Sequence, residues 1–303
     1  MAAILSVQQL TRSYGALRAI DQLTFEVPEG SVYGILGPNG SGKTTLLATL
    51  LDVLKPDEGH FLWFGNPADA AARRHLGILL ETPNFYPYLS AADNLLLCAR
   101  IKGCPVSEVD RALEAVGLTE RRSSAFRSFS LGMKQRLALA SAMLGGPRVI
   151  VLDEPTNGLD PVGIADIRNL IQDMGRAGRT VIMASHLLDE VERVCTHVAI
   201  LKKGKLLASG PVSEVLARQE ILELAGPDLE KLKGVLEMHP AVQSAREVDR
   251  SLLQVVLKEP VEAGHINQYC FEQGVVLNHL TRKNKSLELT FLELTRTETS
   301  LNP

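Results

Sequence analysis

The octet Gly37-Pro38-Asn39-Gly40-Ser41-Gly42-Lys43-Thr44 constrains this chain more than any other segment. It fits the pattern G-x-x-x-x-G-K-[ST] and lies between an apolar run, Ser31 to Leu36, and the apolar start of a helix at Leu46 and Leu47. Glycine-rich backbone can turn its N–H groups inward around phosphate oxygens. The N-terminus of the following helix adds partial positive charge. In such a loop Lys43 neutralises phosphate oxygens and the Thr44 hydroxyl is placed to ligate Mg²⁺, with Thr45 next in the same cradle. A strand before it and a helix after it imply an α/β sheet.

A second segment supplies what a phosphate site needs for chemistry. Val149-Ile150-Val151-Leu152 reads as a buried strand that delivers Asp153 and Glu154 at its C-terminal edge, where ligands bind in open α/β sheets. Asp153 is the candidate Mg²⁺ ligand, direct or through water. Glu154, on the other side of the pleat alternation, is the candidate general base for an attacking water. Thr180 to Ala184 reads as another buried parallel strand. Ile4 to Val7, Leu23 to Val27 and Ser31 to Leu36 read as short strands near the start. From Leu89 to Leu144 the apolar spacing is helical, so a helical insert, about residues 85–145, is expected between the two halves of the site.

Composition sets the frame. A length of 303 residues suits two folding units, here 1–218 and 219–303. Hydrophobic residues at 45% and charged residues at 22% exclude a disordered chain, and a net charge of -3 gives no basis for nucleic-acid binding through a basic surface. The sequence has no apolar run of about 18 residues and no basic stretch ahead of its first apolar residues, so neither a membrane span nor a secretory signal is expected. Four scattered cysteines, Cys98, Cys104, Cys195 and Cys270, suit a reducing compartment. Beyond Pro211 the pattern changes: a helical stretch from Val212 to Ala217, then a strand from Glu220. The smaller unit continues as helix (Leu229 to Met238), two strands (Val242 to Val248, Leu252 to Leu257), helix (Ala263 to Gln273), strand (Val275 to Leu280) and a terminal helix from about Ser286. That βαββαβ order matches a ferredoxin-like α+β unit.

With these motifs in place, residues 1–215 resemble the ATP-binding subunit of an ABC transporter, a P-loop NTPase cassette with a β subdomain and a helical insert. Ser130-Leu131-Gly132-Met133-Lys134-Gln135-Arg136, led by Phe129, resembles the signature segment; Asn157-Gly158-Leu159-Asp160-Pro161 resembles the D-loop. His186 resembles the switch histidine at the γ-phosphate, and Tyr14 holds the position of the aromatic that stacks on adenine. The resemblance implies ATP and Mg²⁺ as ligands, and hydrolysis by two paired cassettes. Ser130 and Gly132 of one then face nucleotide held by the other, and Asp160 of the D-loop joins the nucleotide-binding residues. It also implies membrane-spanning partner subunits and a place on the cytoplasmic face of the membrane. A soluble ABC-type ATPase outside transport is the alternative, disfavoured by the single cassette and the absence of heptad arms.

Two departures narrow the resemblance. Glu81 stands where the family usually has a glutamine that touches Mg²⁺, and Leu131 and Met133 replace a signature glycine and glutamine. Both features resemble exporters of bacitracin-like and lantibiotic-like peptides. The aromatic segment Pro83-Asn84-Phe85-Tyr86-Pro87-Tyr88-Leu89 follows and reads as part of a groove for a helix of the membrane partner.

Overall fold

A computed structural model of the chain describes residues 2–80, 84–216, 221–249, 251–258, 261–283 and 287. The chain divides into two compact units, Met1–Val212 and Ser213–Pro303. In the first, β1 (Ala3–Tyr14) and β2 (Leu17–Pro28) form a long antiparallel hairpin. Both strands outrun the short apolar cores that the sequence suggests. Register shifts near Gln9 and Gln22, each at positive φ, let the pair continue past its apolar segment. β3 (Val32–Leu36) leads to the phosphate loop and α1 (Lys43–Leu50). β4 (Glu58–Trp63) and β5 (Asn66–Pro67) then join the hairpin in a sheet ordered β2-β1-β4-β5.

The short α2 (Ala70–Arg73) precedes β6 (Leu76–Leu79). The insert follows as α3 (Ala91–Lys102), α4 (Glu108–Ala115) and α5 (Leu131–Met143). Its helix starts follow from local chemistry, since Ser90 accepts the Asp93 N–H and Ser130 accepts the Met133 N–H, each as an N-cap. β7 (Val149–Asp153), α6 (Pro161–Arg176), β8 (Thr180–Ser185), α7 (Leu188–Val194), β9 (His197–Lys202) and β10 (Lys205–Pro211) complete a second sheet ordered β10-β9-β3-β8-β7-β6. All its neighbours run parallel except β10, which is antiparallel to β9. β3, β7 and β8 are buried throughout, as parallel strands covered on both faces must be. One core joins the two sheets through Leu46, Leu47 and Leu50 of α1, and the buried Trp63 indole donates to the Leu50 carbonyl at 2.8 Å.

The second unit begins within α8 (Val212–Leu216) and continues as β11 (Ile221–Ala225), α9 (Leu229–Glu237), β12 (Val242–Asp249), β13 (Leu252–Leu257), α10 (Ala263–Glu272) and β14 (His279–Lys283). Its sheet is antiparallel in the order β12-β13-β11-β14, so β13 is inserted between the two parallel strands of a βαβ unit. Its core is its own, built on Leu222, Leu224, Leu253 and Val255 with Leu232, Leu236 and Ile266 from the helices. The last strand lies four residues later than its apolar pattern suggests. Val275 and Leu277 alternate like a strand but pack from a loop, and pairing with β11 starts only at His279, opposite Ala225. The terminal helix expected from Ser286 falls, apart from Leu287, outside the described residues.

Candidate functional site

The strand order β3-β8-β7 places three loops side by side at one sheet edge: the phosphate loop after β3, His186 after β8, and Glu154 after β7. Gly42 ends the loop at φ +103, and a Cβ there would run into the Ala19 carbonyl, so no other residue fits without moving β2. The Lys43 side chain, only 6% exposed, folds back over the loop and donates to the Gly37 carbonyl at 2.8 Å. Ser41 Oγ is buried with no hydrogen-bond partner among the described residues, a group that a phosphate oxygen would satisfy. Pro38, Asn39, Gly40 and Thr44 are exposed around it, while Thr45 is half-buried.

Asp153 closes β7 and is buried at 2% exposure. Glu154 follows at φ +47, a left-handed backbone that costs a non-glycine residue about 1–2 kcal/mol. Its N–H still bonds to the Ala184 carbonyl of β8 at 3.0 Å. The turn separates the two carboxylates, one held under the sheet edge and the other out beside the phosphate loop. Glu154 Oε1 lies 3.3 Å from Lys43 Nζ, and Oε2 lies 2.8 Å from His186 Nδ1. The Lys43 ammonium and an imidazole thus meet at one carboxylate, that of the base candidate. Ser185, fully buried, accepts the Leu187 N–H at 3.0 Å and fixes the turn that carries His186.

The other expected residues lie elsewhere on the same unit. Tyr14 ends β1, half exposed, with the Arg12 guanidinium 5.4 Å from its ring centroid. Arg12 pairs with Asp57 at 2.7 Å, and Asp57 also accepts the Ser13 N–H at 2.7 Å. That backbone hydrogen bond, followed by the Arg12 contact, holds the Asp57 carboxyl below its ordinary value. Ser130 and Gly132 open α5, and Asp160 caps α6 by accepting the Gly163 N–H at 2.9 Å. These two helix starts border a cavity of about 340 Å³. Glu81 lies outside the described residues.

The sequence pattern does not mark the residue that holds the aromatic segment. Asn94 of α3, 2% exposed, accepts the Tyr86 N–H at 2.9 Å and donates to the carbonyls of Tyr86, Leu89 and Ser90, pinning the aromatic segment that presents Tyr86 and Tyr88. A lone buried asparagine in a helix signals this only when the path of the loop before it is known.

Comparison with known proteins agrees with this geometry. The ABC transporter family model matches residues 20–157. The chain is 36% identical over 300 residues to the bacitracin transport ATP-binding protein BcrA of Bacillus licheniformis, covering 97% of this chain and 98% of that protein. The chain belongs to the ABC transporter ATP-binding proteins. The lantibiotic transport ATP-binding protein SrtF of Streptococcus pyogenes is 35% identical over 204 residues, 67% of this chain and 89% of that one. Among solved structures, CbiO1 of Clostridium perfringens, part of the ABC transporter complex CbiONQ, superposes with a TM-score of 0.66 at 30% identity, covering 79% of this chain and 97% of that chain. This is therefore an ATP-binding subunit with the α/β P-loop cassette fold, in a family that hydrolyses ATP.

Proposed function

We propose that this chain is the motor subunit of a peptide exporter, hydrolysing Mg-ATP between two cassettes and driving separate membrane-spanning subunits. The carrying observation is the extent of its likeness to a bacitracin transport ATP-binding protein, which runs through 97% of the chain and so includes the unit beyond the cassette. No described helix is long and apolar enough to cross a membrane, so in this reading the pore belongs to other subunits that hold the chain at the cytoplasmic membrane face.

Residue roles follow from the charges at the sheet edge. Loop N–H groups from Gly37 to Thr44 surround the phosphates, Lys43 turns its ammonium from Glu154 to the γ-phosphate, and Tyr14 stacks on adenine. Glu154 accepts a proton from the attacking water as the bond from γ-phosphorus to the ADP oxygen breaks. His186, held against Glu154, donates a hydrogen bond to the charge developing on the γ-phosphate. Thr44, Asp153 and Glu81 are oxygen donors of the kind Mg²⁺ accepts, and the ion would neutralise charge shared by the β- and γ-oxygens. Ser130, Gly132 and Asp160 complete the site of a second copy, because a helix N-terminus capped by Ser130 offers N–H groups to a γ-phosphate.

Deleting the gene in its host and measuring growth inhibition by bacitracin and by a lantibiotic tests the reading. Sensitisation to at least one, reversed by the wild-type gene and not by Lys43→Ala, is expected. Unchanged inhibition by both would overturn peptide export while leaving the family assignment intact.

A further inference from the structure

Arg179 stands in the loop between α6 and β8, where its N–H donates to the Met174 carbonyl at 3.2 Å. Its Nη1 is buried and has no hydrogen-bond partner among the described residues. A guanidinium N–H shut away from water without an acceptor is costly, and in a native protein it points to a group that fills the gap. The gap is a cavity of about 370 Å³, walled by Ala112 of α4 and by Met143 and Leu144 at the end of α5. A second guanidinium, that of Arg111 on α4, lines the same cavity and makes no side-chain hydrogen bond or ion pair among the described residues. The acceptors nearby are engaged elsewhere. Glu108, which also lines the cavity, gives Oε2 to the Gly145 N–H at 2.7 Å. The carbonyls that end α5 go to Lys102, whose Nζ lies 2.6 Å from the Ser141 oxygen, 3.4 Å from that of Ala142 and 3.5 Å from that of Leu144. Two arginines against one glutamate leave a net positive charge beside apolar walls. β8 starts just after Arg179 and ends just before His186, so the cavity lies at the opposite edge of the sheet from the nucleotide residues.

From this arrangement we infer that the cavity is a binding site for a small organic anion: a carboxylate or phosphate head held by Arg179 and Arg111, with a short apolar body against Met143 and Leu144. A planar guanidinium offers paired N–H groups that match two oxygens of either head. The volume is at the small end for ligand sites, and apolar walls with a few convergent polar groups are their usual lining. A bound anion joins α4 of the helical insert to the loop before β8, and so bridges two parts of the cassette away from the nucleotide residues.

Calorimetric titration of the full chain with benzoate, phenyl phosphate and inorganic phosphate tests the site. Saturable binding is expected for benzoate, for phenyl phosphate or for both, and the probe that binds identifies the head group. Inorganic phosphate lacks the apolar body and should bind at least about tenfold more weakly than the organic anions. Arg179→Gln should weaken binding by at least about tenfold. Arg111→Gln, at an exposed position that a folded chain tolerates, should weaken it several-fold and serves as the test should Arg179→Gln fail to fold. The phosphate loop also attracts phosphate esters, so Lys43→Ala is the control, and binding in that variant should match the wild type. Absence of saturable binding by either organic probe, or full affinity in both arginine variants, would overturn the inference. Loss of binding in Lys43→Ala alone would overturn it too, by placing the ligand at the phosphate loop. Inorganic phosphate binding as tightly as the organic anions would overturn the apolar part of the site.

Discussion

Glu154 combines a left-handed backbone with a buried cation at 3.3 Å and an imidazole at 2.8 Å, both at its carboxylate. Strain of this sort persists where its surroundings over-determine it. Replacing His186 by Ala should lower kcat by about 10²–10⁴ with ATP binding retained, as expected for a group that acts on developing charge; rapid-quench kinetics beside equilibrium nucleotide binding would show the split. A second residue-scale effect follows from Asp57. Its folded carboxyl is held below the ordinary aspartate value by the Ser13 N–H and Arg12, so its contribution is fully present above about pH 3.9 and is lost as pH falls through the depressed value. The protection of the Ser13 amide, its exchange measured against the intrinsic rate at each pH, should therefore fall in that acid window and in Asp57→Ala at neutral pH. The phosphate loop and Asp153-Glu154 were legible because each is contiguous in the chain and its chemistry is local. The Arg12–Asp57 pair was not, since it joins positions far apart in sequence that only the fold brings together.

Among the elements, the helix starts expected at Val212, Leu229 and Ala263 agree with the structure, the start expected at Leu46 lies three residues late, and the strand ends differ more. In the structure Ser90, Ser130 and Asp160 start their helices through side-chain caps, each closed within four residues. Strand length depends on a partner. β1 and β2 continue through bulges because each has the other to pair with, and β14 begins only where β11 offers a register. The loop before α3 shows the same dependence, its conformation held by the Asn94 side chain. Asn94→Ala would leave the Tyr86 N–H and several carbonyls without that partner, and should destabilise the protein by about 2–4 kcal/mol in chemical denaturation. The same variant should weaken co-purification with a membrane partner, as should Tyr86→Ala with Tyr88→Ala; assembly unchanged in both would remove the aromatic segment from the docking surface.

On the scale of the whole molecule, each of the two units has a separate core, and the nucleotide residues belong to the first. Mg-ATP should therefore raise the unfolding transition of the first unit alone, by about 2.7 kcal/mol at a hundredfold excess over its Kd, as read by calorimetry. A parallel shift in the second transition would show that the two units unfold together. Relatives are named for bacitracin and lantibiotic transport, and in the proposed mechanism Glu154 acts inside a nucleotide sandwich made by two copies. Light scattering on Glu154→Gln with and without Mg-ATP, alongside phosphate release, distinguishes a sandwich from a site that works alone. A stable dimer that requires Mg-ATP, with hydrolysis abolished, is predicted; a monomer with ATP bound, or phosphate release at the wild-type rate, would contradict it.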